Sequence, residues 1–102
     1  MKRFLISYRF SLDAGAEAAW HRRVGEFIAA IDGDPELGGR ISYRCMKVKD
    51  GAGYYHLAEA ADDAAIQALQ QRAFFKSYTE ETKRVAGGEV TVSSIETVAE
   101  TK

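Results

Sequence analysis

The chain reads as an α+β protein of the ferredoxin-like plan, βαββαβ, with a four-stranded antiparallel sheet and its helices on one face. Two observations predict it. Apolar residues alternate with a period of two around Phe4-Ile6-Tyr8-Phe10, Ile41-Tyr43-Cys45, Tyr54 to Leu57, and Val90-Thr91-Val92. Helical spacing fills the first and last gaps between these stretches, and the middle gap, Asp50-Gly51-Ala52-Gly53, has hairpin composition. At 102 residues the chain is long enough for one core of ordinary size, and a single domain over residues 1–102 is expected.

The first strand is predicted over residues 3–10, with Phe4, Ile6, Tyr8 and Phe10 on one face and Leu5, Ser7 and Arg9 on the other. Asp13 offers a side-chain acceptor to the exposed amides of a helix start, and Glu17 adds negative charge to its first turn. That helix is expected to run to about Ile31. Trp20, Val24, Phe27, Ile28 and Ile31 line one face, and His21, Arg22 and Glu26 fall on the other. The stretch Asp32-Gly33-Asp34-Pro35-Glu36 stops the helix, and Gly38-Gly39 releases the chain.

The second strand covers about Arg40 to Lys49. Ile41, Tyr43 and Cys45 share one face but Met46 and Val48 the other, a phase change that predicts a bulge near Cys45-Met46. The turn glycines are expected to take the positive φ values of a tight hairpin. The third strand runs from Tyr54 to about Ala60. Asp62 or Asp63 then caps a second helical region reaching Gly87-Gly88, with a stripe of Ile66, Leu69, Phe74 or Phe75, Tyr78 and Val85. The stripe drifts near Gln71-Arg72-Ala73, so a bend or break is predicted there. The fourth strand starts at Val90 and Val92, with a second phase change at Ser93-Ser94 ahead of Ile95, and the last few residues read as a loose tail.

Composition narrows the function classes. Net charge is −1 with both signs interleaved, which leaves no electrostatic footprint for nucleic acid. No apolar run approaches the roughly 20 residues that cross a bilayer. The segment Met1 to Ser7 reads as a strand rather than a signal peptide, and the expected address is the cytoplasm. Cys45 is alone and the two histidines are far apart, so no metal site is expected, and no glycine-rich phosphate loop follows a strand. A protein without metal or other cofactor is therefore predicted. Both strand phases carry large apolar groups: Leu5 beside Ile6, Met46 beside Cys45, Tyr55 and Leu57 beside Tyr54 and His56. Exposing each would forfeit about 1.5–3 kcal/mol, so a homodimer packed sheet to sheet is expected.

Tyr8 and His56 are the candidate catalytic pair. They lie mid-strand on neighbouring strands, and a phenol beside an imidazole is able to deprotonate or position a hydroxyaromatic group. The plainer alternative is a core tyrosine and a hydrogen-bonded strand histidine. Trp20, Phe74 and Tyr78 are candidate ligand contacts for a flat ring in a cleft between sheet and helices, although helix-spaced aromatics also serve simply as core. Tyr43 and Arg44 occupy opposite faces, so at most one enters a given cleft, and Tyr43 is the candidate.

The run Phe4 to Phe10 leads into an amphipathic helix. The run Tyr55-His56-Leu57-Ala58-Glu59-Ala60 leads into a helical region that reaches Ala73-Phe74-Phe75-Lys76-Ser77-Tyr78. Together, with the Phe75-Lys76 pair, they resemble the antibiotic-biosynthesis-monooxygenase type of dimeric α/β barrel over essentially the whole chain. The resemblance rests on spacing and residue type and implies a homodimer with facing sheets and a small-molecule cleft in each subunit. Some members oxygenate polycyclic aromatic or quinol substrates without metal or flavin, through the substrate's own electron-rich anion. Haem-degrading members carry an asparagine, a tryptophan and a histidine ligand where this chain has Tyr8, Leu69 and Thr79. No iron ligand remains at that place.

The resemblance thus implies a cofactor-independent monooxygenase acting on an aromatic or quinone-type small molecule. His56, assisted by Tyr8, would remove a phenolic proton, and the anion would pass an electron to oxygen. A non-catalytic ligand-binding or structural homodimer remains the alternative, and an isomerase using the same pair is a third.

Overall fold

Alternation and capping together place the elements of the computed structural model, which describes residues 1–102. β1 (Lys2–Arg9) lies between β3 (Gly53–Ala60) and β4 (Thr91–Ile95), and β2 (Ile41–Lys47) pairs on the far side of β3. Every pairing is antiparallel, giving the order β2-β3-β1-β4 of the ferredoxin-like plan. α1 (Ala14–Gly33) follows β1, while α2 (Asp63–Gln70) and α3 (Ala73–Val85) fill the gap between β3 and β4.

The helix ends follow their local chemistry. The Asp13 carboxylate accepts from the Ala16 amide at 3.0 Å and starts α1, and Asp62 does the same for Ala65 at 2.9 Å to start α2. The expected break falls at Gln71-Arg72, where Arg72 has extended backbone and no side chain caps α3. Its guanidinium is held instead by Asp34 at 2.8 Å and Glu36 at 2.8 Å. α3 ends with the Gly88 amide bonded to the Lys83 carbonyl at 2.8 Å and Gly87 at φ 69°. That is a Schellman closure, which favours glycine. A Cβ at Gly87 would also come within 3.0 Å of the Ser11 hydroxyl.

Three expectations are corrected. No bulge interrupts β2: its register with β3 runs without a break from Ile41 opposite Ala60 to Lys47 opposite Tyr54. β4 likewise pairs continuously with β1, placing Ile95 opposite Arg3. The phase change at Cys45-Met46 read as a bulge, and that at Ser93-Ser94 as a break in alternation, because Met46 and Ile95 are apolar residues on the outer face. In the hairpin, Asp50 takes the positive φ of 61°, not the glycines beside it. Gly51 and Gly53 are needed for closeness, since a Cβ on either would sit 3.2 or 3.0 Å from Val48.

Phe4, Ile6, Tyr8, Tyr43, Cys45, Tyr54 and His56 therefore share the helix-facing side of the sheet. Trp20, Val24, Phe27 and Ile31 of α1 pack there together with Tyr78, Thr82 and Val85 of α3. Phe27 is central: its ring lies parallel to Tyr78 with centroids 3.8 Å apart and edge-on to Tyr43 at 5.1 Å. On the opposite face Met46 pairs across with Tyr55 and Leu57 with Leu5, forming a continuous apolar patch. Met46 and Tyr55 are 40% and 43% exposed in the single chain.

Phe27→Ala is expected to destabilise the fold by about 3–5 kcal/mol, because the stacked Tyr78 ring cannot move in to fill the space. Urea denaturation measures this, and a loss below about 1 kcal/mol would contradict the central place given to the Phe27 ring.

Candidate functional site

His56 on β3 is fully buried and hydrogen-bonded at both ring nitrogens. Its Nε2 lies 2.8 Å from the Tyr8 hydroxyl of β1, which accepts a hydrogen bond from Trp20 Nε1 of α1 at 2.9 Å. Its Nδ1 lies 2.5 Å from the Tyr43 hydroxyl of β2 and 3.2 Å from the Tyr78 hydroxyl of α3. The two tyrosine hydroxyls are 3.1 Å apart. Cys45, directly opposite His56 in the β2–β3 register, places its sulfur 3.3 Å from Nε2.

Burial sets the protonation of this cluster. It pushes the His56 imidazole down to about 4, so the ring is neutral and a weak base near pH 7. Burial also lifts Tyr8, Tyr43 and Tyr78 well above the ordinary phenol range and pushes the Cys45 thiol up to about 11. All four remain protonated at neutral pH. A second polar cluster adjoins the first, because the Tyr8 ring stacks on Tyr54 with centroids 5.3 Å apart. Tyr54 donates to the Glu17 carboxylate at 2.5 Å and stands 2.6 Å from His21 Nε2, while Lys47 pairs with Glu17 at 3.1 Å. The hydrogen bond from Tyr54 holds the Glu17 carboxyl below the usual carboxylate range.

A cavity of about 360 Å³ lies between the sheet and the α2–α3 pair, in the range of small-molecule sites. Its origin is a local shortage of side-chain volume. Ala58 sits mid-sheet between its register partners Phe4 and Tyr43, and Ala60 follows on the same face. The walls are largely apolar, from Phe4, Ile6, Ile66, Leu69 and Phe75, with the Tyr43–Tyr78 pair set into one of them. No cluster of three or more His, Cys, Asp or Glu side chains is placed to hold a metal ion.

Of the residues singled out from sequence, Tyr8, Trp20, Tyr43, His56 and Tyr78 come together in one hydrogen-bonded cluster. Only Tyr43 and Tyr78 also line the cavity. His56, Tyr8 and Trp20 stand behind them, and Phe74 packs against Phe27 at 6.0 Å while its neighbour Phe75 faces the cavity. Sequence spacing placed neither Cys45 nor Tyr54 in the site and used Glu17 only as negative charge in the first turn of α1. Shared strand phase was the available signal for Tyr54 and Cys45, which alternate with His56 and Tyr43.

No protein-family model matches the chain, and no curated protein sequence matches it. Solved structures do share its fold. A mutant of SnoaB, a cofactor-independent oxygenase from Streptomyces nogalater, superposes with a TM-score of 0.76 at 11% identity, covering 97% of this chain and 94% of that one. An antibiotic biosynthesis monooxygenase gives 0.73 at 14% identity, covering 97% and 100%. Rv0793 from Mycobacterium tuberculosis gives 0.72 at 14% identity, covering 100% of both chains. At such identities the likeness establishes the fold, and the fold expected from the sequence is the one observed.

The neutral, buried His56 makes stability depend on pH in a defined direction. Its folded-state pKa, about 4, lies below the ordinary 6.5, so only the unfolded chain takes up a proton between those values. The contribution is complete above pH 6.5 and is lost as pH falls toward 4, amounting at most to about 3 kcal/mol. Urea denaturation from pH 7.5 to 4.5 is expected to show this decline, and His56→Gln is expected to flatten it. An equal slope in the variant would assign the decline to other groups.

Proposed function

We propose that this chain is a cofactor-independent oxygenase of an aromatic or quinone-type small molecule and that it works as a homodimer. The observation that carries the proposal is the apolar cavity lined by Tyr43 and Tyr78, whose hydroxyls meet 3.1 Å apart and contact buried His56. In this reading a flat ring lies between Ile66, Leu69 and Phe75 on one side and Phe4 and Ile6 on the other, with its oxygen toward the tyrosine pair. The fold shared with SnoaB, a cofactor-independent oxygenase, supports the same assignment.

The chemistry needs only the substrate anion and O₂. Electron transfer from anion to oxygen gives a ring radical and superoxide, and their coupling forms a C–O bond. The peroxide anion so formed takes up one proton, equivalent to the one lost when the substrate ionised. Breaking the C–H and O–O bonds of this hydroperoxide releases water and leaves a quinone, so each turnover consumes one O₂ and releases one water. Tyr43 and Tyr78 are the proposed catalytic residues in contact with substrate. His56, Tyr8 and Trp20 act through them, and the aromatic walls exclude water from the radical pair. The second reading, a ligand-binding protein without turnover, is favoured by one observation: every buried side-chain polar atom already has a partner.

Oxygen uptake with a panel of hydroxyaromatics and quinols distinguishes the two. The oxygenase is expected to consume O₂ in proportion to product, and replacing both Tyr43 and Tyr78 by Phe is expected to slow turnover about 10²–10³-fold. Ligand binding without uptake supports the second reading, and absence of both removes the cavity from consideration.

The homodimer is proposed to bury the apolar outer face around Leu5, Met46, Tyr55 and Leu57. Sedimentation equilibrium at micromolar concentration is expected to give twice the 11.3 kDa chain mass. Leu57→Glu, which puts a charge in the middle of that face, is expected to give the single chain. A monomeric wild type would overturn the dimer.

A further inference from the structure

Resting on the cavity as an aromatic-ligand site, we infer that it holds its ligand's oxygen as a hydrogen-bond acceptor and so selects the ionised form of a hydroxyaromatic over the neutral one. The direction of the Trp20–Tyr8–His56–Tyr43/Tyr78 chain dictates this. The Trp20 indole N–H can only donate, and it donates to the Tyr8 oxygen at 2.9 Å. The Tyr8 hydrogen then needs an acceptor, and His56 Nε2 at 2.8 Å is the partner present. The Cys45 thiol, 3.3 Å from the same nitrogen, is also a donor.

With Nε2 accepting, the neutral ring carries its hydrogen on Nδ1 and donates toward the tyrosine pair, 2.5 Å from Tyr43 and 3.2 Å from Tyr78. Between them the two tyrosines hold two hydroxyl hydrogens. Only one of these is spent across the 3.1 Å contact, because each phenol has a single hydrogen. The other has no protein acceptor and belongs to the cavity that both residues line. Reversing the chain would bring two donors to the Tyr8 oxygen and strand its hydrogen in a residue 6% exposed. A stranded buried donor is disfavoured.

The surrounding charges agree with this direction. Lys83 lines the cavity, while Arg23, 5.5 Å from the Tyr78 ring centroid, has its charge shared with Glu81. Of the nearby carboxylates, Glu59 is paired with Arg3 at 2.7 Å, Glu81 with Arg23 at 2.9 Å, and Glu17 with Lys47 at 3.1 Å. His56 is thus a donor toward the cavity and not its base. The ligand anion forms by the ligand's own ionisation and is held by the leftover hydroxyl hydrogen, much as an oxyanion hole holds its charge. Tyr8 is a positioning residue, because its hydrogen bond fixes the His56 tautomer.

The probe is 4-nitro-1-naphthol, whose colour reports its ionisation, with its methyl ether as a control of similar shape. The bound naphthol is expected to ionise at least one pH unit below the free one, which corresponds to at least tenfold tighter binding of the anion. In Tyr8→Phe, Nε2 is free to take the hydrogen, and the anion preference is expected to fall about tenfold while ether affinity stays unchanged. Loss of packing alone would weaken both ligands together. A bound naphthol that ionises at or above the free value, with the ether still bound, overturns the acceptor inference and leaves the aromatic site standing. A Tyr8→Phe protein that keeps the full downward shift overturns the directional chain. Failure of both ligands to bind removes the site and the inference with it.

Discussion

Burial of the His56 imidazole is the constraint on which the rest of the interior depends. A polar ring removed from water must find partners at both nitrogens, and His56 finds them on four elements, counting Trp20 through Tyr8. β1, β2, α1 and α3 are thereby set in register with β3 by directional bonds rather than by apolar contact alone. Apolar packing tolerates small slips of a helix over a sheet, but a network of short hydrogen bonds does not. The same burial that demands these partners also keeps the ring neutral, so one physical fact governs both the packing and the chemistry.

Around this network the aromatic residues divide the interior unequally. Phe27, Trp20 and Tyr78 stack into a filled layer, with Tyr8 on Tyr54 completing the side near β1. Toward α2 the sheet offers Ala58 and Ala60 instead, and volume is missing. α2 spans that gap because the chain breaks at Arg72, whose guanidinium is tied to Asp34 and Glu36 beyond the end of α1. The Arg72–Asp34 pair is bidentate and joined by Glu36, the arrangement in which partly exposed ion pairs do add stability. These pairs also tie the break between α2 and α3 to the end of α1, and Ile66, Leu69 and Gln70 of α2 line the cavity.

Local periodicity made much of this legible. The phase of β3 grouped Tyr54, His56 and Ala58, and that of the first strand grouped Tyr8 with Phe4, Ile6 and Phe10. Only the β1–β3 register put the two groups on the same side of the sheet. The drift of the stripe near Gln71-Arg72-Ala73 marked the helix break. Alternation misled where apolar residues occupy both faces, as at Met46 and Ile95, because periodicity cannot separate a bulge from an apolar outer face. It also could not rank Phe74 against Phe75, since adjacent helical residues diverge by about 100° and either could continue the stripe.

By itself, then, the sequence determined the element order, which residues share a face within each strand, the helix cap at Asp13 and a choice of Asp62 or Asp63 for the next, and the residue types available to the interior. These depend on interactions a few residues long, which composition and spacing encode directly. Tertiary structure alone decided that Cys45 stands opposite His56, that Tyr43 and Tyr78 meet at Nδ1, and that Tyr8 and Trp20 close the other side. It also decided that His56 lies behind the cavity wall instead of in it. Those contacts join residues up to 48 positions apart, as Tyr8 and His56 are. Their geometry is set by strand register and helix docking, quantities that no local pattern carries.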